Sequence, residues 1–371
     1  MLNRSVPFTL FTLLAAFLAT ASIAPALRAT EEKVVPTEMC RGLFLVPVTF
    51  DTDPERSLVL VLDTGAGRTS VDPDAIERVT GRRIKPGQKA TLRRGEAGPL
   101  KLKRFQTRVH EMDHLARALG RHVDGILGFP TFQDLLLTLD YPAEEVRVSK
   151  GELAEPDGQR VFHDVGKRRP HLALELPEGA RVPVLVDSGS TGGLDLRRTD
   201  PLEWERPPRP VAASVRYDAI RVDEAGRLAR DIAYGPLVLE RPVVEAIDDD
   251  ATRLAGYRIL RRFVWTFDGR NRRIRMVPDS AEPIRFDAVR GTGLTFRPRE
   301  RGMEIVRVLD DTPAERTDVR EGDLVTAIDF VPVYERGCVS MIDDTRETTT
   351  LTVERDGASM DIEVRIAVLV P

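Results

Sequence analysis

Cysteine is scarce in this 371-residue chain, where Cys40 and Cys338 are the only two. So few, so far apart and without a close Cys or His neighbour, they make neither a disulfide scaffold nor a structural metal site. They can still pair in an oxidising compartment, or stand as two free thiols. A surplus of one charge is missing too, because 55 Lys and Arg face 59 Asp and Glu in an interleaved pattern with a formal net charge of −4. No large one-signed field is therefore available for nucleic acid. The densest basic run, Arg270 to Arg275, reads as the solvated flank of a hairpin. Long apolar runs are lacking beyond the N-terminus. The run from Val6 to about Ala24 follows Arg4 and leads into Ala-x-Ala spacings, a secretory signal pattern over residues 1–29. It implies a periplasmic or secreted protein, anchored to a membrane only if the signal stays uncleaved.

What is present points to several cores, since the length exceeds what one compact core uses. Two segments carry the same pattern of strand, turn and small residues. The first is an apolar run from Leu58 ending in Asp63-Thr64-Gly65-Ala66-Gly67, and the second runs from Val182 into Asp187-Ser188-Gly189-Ser190. A further feature repeats in register. Ile126-Leu127-Gly128 precedes an apolar stretch to Asp140, and Leu254-Ala255-Gly256 precedes another to Asp268, with Gly and Asp 12 positions apart in both. Between the paired motifs, Ala90 to Gly98 and Ser214 to Gly226 read as hairpins, either able to cover a cleft. One helix is expected in the first copy, about Asp113 to Leu119, with Asp113 as N-cap and Gly120 as its stop. Pro-rich and acidic stretches at 152–158 and 278–283 mark boundaries, giving units at 40–150, 159–280 and 284–371.

The paired Asp-Thr/Ser-Gly segments and the apolar-apolar-Gly sequences resemble the aspartic peptidases of the retropepsin-like and pepsin-like group, over roughly residues 40 to 280. The resemblance implies a mainly β fold, with two pseudo-twofold-related acid-protease β-barrel lobes in one chain. It implies an aspartic-type endopeptidase acting on a peptide or unfolded protein substrate, with no cofactor and no metal. Asp63 and Asp187 would be catalytic, and Thr64, Gly65, Ser188 and Gly189 would support their loops. Two carboxylates suit amide hydrolysis because one can activate water while the other protonates the carbonyl oxygen. Held within ~3 Å they cannot both ionise, so they share a proton. Ser190 can donate to its aspartate whereas Ala66 cannot, an asymmetry expected to raise the pair's lower pKa and extend activity from mildly acidic toward neutral pH. The alternative function is a non-catalytic peptide-binding scaffold of the same fold.

Two other motifs compete. His110-Glu111-Met112-Asp113-His114 matches the H-E-x-x-H zinc pattern, but the helix is expected to begin only at Asp113. The duplicated Asp-x-Gly turns also suit sugar kinases and actin-like ATPases, yet the long helices those need are missing and export separates the chain from ATP. After Glu282, Gly291-Thr292-Gly293-Leu294-Thr295-Phe296, Asp311 to Ala314 and Glu321 to Ile328 resemble a PDZ domain, implying a small α+β unit over 284–371. Its peptide-binding loop would fall on Gly293, Leu294, Thr295 and Phe296, there to recruit substrate. Thr295 replaces the usual small residue in that loop.

Overall fold

The structure is a computed structural model, and it describes residues 31–51, 53–215 and 220–371. The secretory signal expected over 1–29 lies outside the described residues. The chain is mainly β, with only three α-helices among the described residues: α1 (Pro73–Thr80), α2 (Asp113–Leu119) and α3 (Tyr257–Leu260).

Two lobes are woven by the same steps. In the first, the strand Asp53–Asp63 runs parallel to Gly125–Gly128, which lies antiparallel to Ser70–Val71, which is parallel to Leu100–Val109. In the second, Arg181–Val186 runs parallel to Leu254–Ala255, that strand antiparallel to Leu194–Arg197, and this one parallel to Val243–Ile247. Asp63 and Asp187 thus stand at the C-terminal ends of buried strands, each beside the apolar-apolar-Gly segment of its own lobe. The strands read as near-continuous apolar runs because both faces are covered. Leu58, Leu60 and Leu62 in one, and Val184 and Val186 in the other, are almost completely buried.

A six-stranded sheet joins the lobes, ordered Lys33–Val35, Glu145–Ser149, Leu136–Asp140, Phe263–Asp268, Arg273–Pro278 and Val161–His163. At its centre Thr138 faces Thr266, 128 residues away, with their hydroxyls 3.1 Å apart. The two copies of the sequence repeat, which have the same offset, therefore meet at equivalent positions. One continuous apolar core spans both lobes and this sheet, with Trp265 fully buried within it. The joining sheet begins at Lys33, before the expected start of the first unit at residue 40, and Ile284–Arg285 pairs with Leu237–Glu240 of the second lobe.

Residues 289–370 form a separate module with its own core, made of a five-strand path from Leu294–Arg299 to Ala358–Arg365 and the pair Val289–Gly291 with Ala367–Val370. Cys40 and Cys338, whose pairing the sequence leaves open, are joined in a disulfide with Cα atoms 4.9 Å apart. The bridge pins the module to the first lobe, where Cys40 is buried against Leu43, Leu45, Val61, Leu119 and Val123. The module also packs against α2 and against the second-lobe hairpin formed by Arg209–Val215 and Ile220–Arg227.

Two local expectations need correction. Asp113 is not the N-cap of α2; Met112 holds that place without a side-chain bond, and Asp113 lies in the first turn, 3.0 Å from Arg117 one turn on. A second first-lobe helix, α1, was not expected at all. Its signals are local and strong: Asp72 caps it by accepting from the Asp74 N–H at 2.9 Å, Pro73 opens it, and Gly81 ends it at φ 69°.

Candidate active site

Asp63 and Asp187 are brought face to face. A Cβ placed on Gly65 would fall inside the carboxylate of Asp187, and one on Gly189 inside that of Asp63, both closer than 3.0 Å. Any side chain there would drive the two loops apart, so glycine is required by approach. Thr64 and Ser188, both fully buried, lock the junction by reciprocal bonds. The Thr64 N–H donates to Ser188 Oγ and the Ser188 N–H donates to Thr64 Oγ1, each at 2.9 Å. The hydroxyls then donate onward across the interface, Thr64 to the Val186 carbonyl at 2.6 Å and Ser188 to the Leu62 carbonyl at 2.9 Å. Four buried backbone groups are satisfied in this way, two from each lobe, and rigid placement of the carboxylates follows.

The electrostatics of the pair are unequal. Burial, followed by the charge of the facing Asp187, pushes the Asp63 carboxyl up to about 7. Asp63 Oδ1 is buried without a donor among the described residues. One proton held between the carboxyls satisfies that oxygen and relieves the repulsion. Asp187 is also raised by burial, but the Gly189 N–H at 2.9 Å and the charge of Arg169 favour its anion. The Ala66 and Gly65 N–H groups favour the Asp63 anion too, but the charge of Arg169 acts on Asp187, which makes Asp63 the better holder of the proton and Asp187 the better base. Ser190 makes no hydrogen bond to Asp187 among the described residues; its hydroxyl accepts from the Gly192 N–H at 3.2 Å.

Two contributors were missed in the sequence. Arg169 donates to the Gly65 carbonyl at 3.1 Å, bracing the opposite loop while biasing Asp187. In sequence it is one of three consecutive basic residues, and nothing distinguishes it. Tyr141 is buried between Phe44 and Tyr257, with ring centroids 5.0 and 5.9 Å away. Burial, then the charges of Asp187, Tyr257 and Asp63, raise its phenol well above the ordinary range, so it stays neutral.

The remaining expected residues lie elsewhere. Gly293 makes a left-handed turn at φ 83°, accepting from the Leu309 N–H at 2.9 Å, and Leu294, Thr295 and Phe296 begin the edge strand Leu294–Arg299. That strand neighbours α2 and the second-lobe hairpin, and residues 333–347 form turns and bends rather than a helical wall. His110 precedes α2 while His114 lies within it, so the two do not share a helical face. Of the two expected hairpins, the first-lobe one, Lys89–Ala97 with Leu100–Val109, pairs back onto Leu43–Phe50 and closes the barrel. The second-lobe hairpin lines a cavity of about 460 Å³ together with Thr191 to Leu194 of the Asp187 loop. Searches of protein-family models and of curated proteins find no match to the chain.

Proposed function

We propose that the chain is an aspartic-type endopeptidase in which Asp63 and Asp187 activate one water against an extended peptide. The supporting observation is the meeting of two recessed carboxyls from separate lobes, their loops held by crossed hydroxyl bonds, an arrangement suited to sharing one proton. Chemically, such a pair supplies base and acid together. Asp187, favoured as the anion, takes a proton from water as the oxygen attacks the peptide carbonyl, and Asp63 gives its proton to the carbonyl oxygen. As the C–N bond of the tetrahedral species breaks, Asp187 gives its proton to the leaving amine and a hydroxyl of the diol returns one to Asp63, which restores the pair.

On this reading the two barrels are acid-protease lobes, the second-lobe hairpin is the lid, and the C-terminal module is a PDZ-like unit that brings substrate to the lid's edge. The disulfide supports a periplasmic or secreted setting, since such bonds persist in oxidising compartments. The test is proteome-derived peptide cleavage by the protein lacking residues 1–29, beside its Asp187→Asn and Asp63→Asn variants. Cleavage by the parent that both variants lose by at least ~10³-fold supports the proposal. Peptide binding without cleavage in all three would mean a scaffold.

A further inference from the structure

The strand Val243–Ile247 alternates cleanly. Val244 and Ala246 are buried in the second-lobe core, which turns Glu245 to the opposite face. Register carries that face toward the catalytic loop: Ala225 stands opposite Glu245, Asp195 lies beside it, and Leu254 pairs with Asp195. Leu254 in turn pairs with Leu185, two residues before Asp187. The cavity of about 460 Å³ opens on this face, within the ~300–1,000 Å³ of ligand clefts. Thr191, Gly192 and Gly193 form one wall and Ala212 and Ala225 of the hairpin another, small residues that leave the space open. Gly192 places the loop close to the carboxylate: a Cβ there would stand 3.8 Å from Glu245 Oε1, at van der Waals contact.

Glu245 has no hydrogen bond or ion pair to a described residue. Arg258 attracts it electrostatically without coming into salt-bridge contact, and burial and Asp223 together raise its proton affinity. Four arginines also border the cavity, but Arg262 is paired with Asp279 and Arg285 with Glu240, each at 2.9 Å, while Arg258 and Arg261 are exposed, where water already solvates and screens them. The recessed carboxylate is the charge with most to gain from a partner.

We infer that Glu245 determines specificity: this cavity takes the cationic side chain, Lys or Arg, of a substrate residue flanking the scissile bond. The inference rests on the peptidase reading, so its test separates the two. Peptide libraries are digested with the protein lacking residues 1–29 and with its Glu245→Gln and Glu245→Asp variants. The expected result is enrichment of Lys and Arg at one position near the cut. Glu245→Gln should lose at least ~10-fold in kcat/KM for basic over neutral residues there, with neutral peptides cut as before, and Glu245→Asp should keep the preference. Absence of basic enrichment, a preference for acidic residues, or an unchanged preference in Glu245→Gln overturns it. If the parent cuts nothing, the peptidase reading fails by itself. The inference is then decided by binding: Asp63→Asn protein should retain Lys peptides at least ~10-fold more tightly than norleucine counterparts, and equal retention overturns it.

Discussion

Replacing Asp63 by Asn tests the shared proton without any substrate. The Asp63 carboxyl rises from its ordinary 3.8 to about 7 because it is buried and faces Asp187. Between those two values the folded protein holds a proton that the unfolded chain has released. The stability drawn from it is complete below about pH 3.8 and is lost as pH climbs through about 7. At ~1.4 kcal/mol per pH unit the rise is worth on the order of 4 kcal/mol. The Asn amide keeps the shape and can donate to Asp187, leaving a lone carboxyl that burial still raises but whose anion no longer faces a second carboxylate and keeps the Gly189 N–H and the charge of Arg169. Urea unfolding from pH 4 to 8, followed by the fluorescence of the buried Trp265, gives both profiles. Asp63→Asn should gain several kcal/mol relative to the parent as pH rises across that range. Two profiles parallel to within about 1 kcal/mol would refute a proton held between the carboxyls.

Three further outcomes are expected. Ser188→Ala orphans the buried Thr64 N–H and Leu62 carbonyl and should lower unfolding stability by about 2–5 kcal/mol; a loss under ~1 kcal/mol in urea unfolding would mean the crossed bonds do not hold the loops. Cys338→Ser removes a link across 298 residues and should cost about 2–5 kcal/mol, with reduced parent protein behaving likewise in the same unfolding series. In kcat/KM measured from pH 3 to 9, cleavage should hold from mildly acidic pH to near neutrality and fall above about 7 as the pair loses its proton. Activity confined below about pH 3.5 would contradict the raised pair.

The parts legible in the sequence are those with a local signature repeated at a fixed offset. Asp63-Thr64-Gly65 and Asp187-Ser188-Gly189 each describe a strand and a tight loop, and the resemblance carried by their duplication implied that the two would meet. The downstream Gly and Asp repeat brackets the two strands on which Thr138 meets Thr266, but the sheet they form between the lobes was not foreseen. Helix α1 had an equally plain signature in Asp72-Pro73 and Gly81 and was overlooked beside the hydrophobic patterning. Other features depend on distant chain. Arg169 acts through Gly65, 104 residues away, and Cys40 finds Cys338 only because the module folds back on α2. No spacing rule encodes such contacts.

The two hairpins show how equivalent sequence positions acquire different roles. Thr49 pairs with Glu96 and Phe50 with Gly95, so the first-lobe hairpin is fixed in the barrel wall; a Cβ at Gly95 would stand 2.8 Å from the Phe50 ring. Its second-lobe counterpart leaves Arg209–Val215 at the edge of a ten-stranded sheet. An open edge invites pairing with other chains, and here the module lies alongside it, with Leu294–Arg299 and Ala367–Val370 against Arg209–Val215. Arg227, on the hairpin's inner strand, fastens the contact by donating to the carbonyls of Pro371, Phe286 and Arg241. Since the module is also bonded to Cys40 of the first lobe, the hairpin cannot swing far from the Asp187 loop without carrying the module or parting from it. The cavity holding Glu245 is enclosed by the same parts, with Asp344 of the module on its border. The width of the cavity that holds Glu245 and the position of the C-terminal module are therefore mechanically one variable.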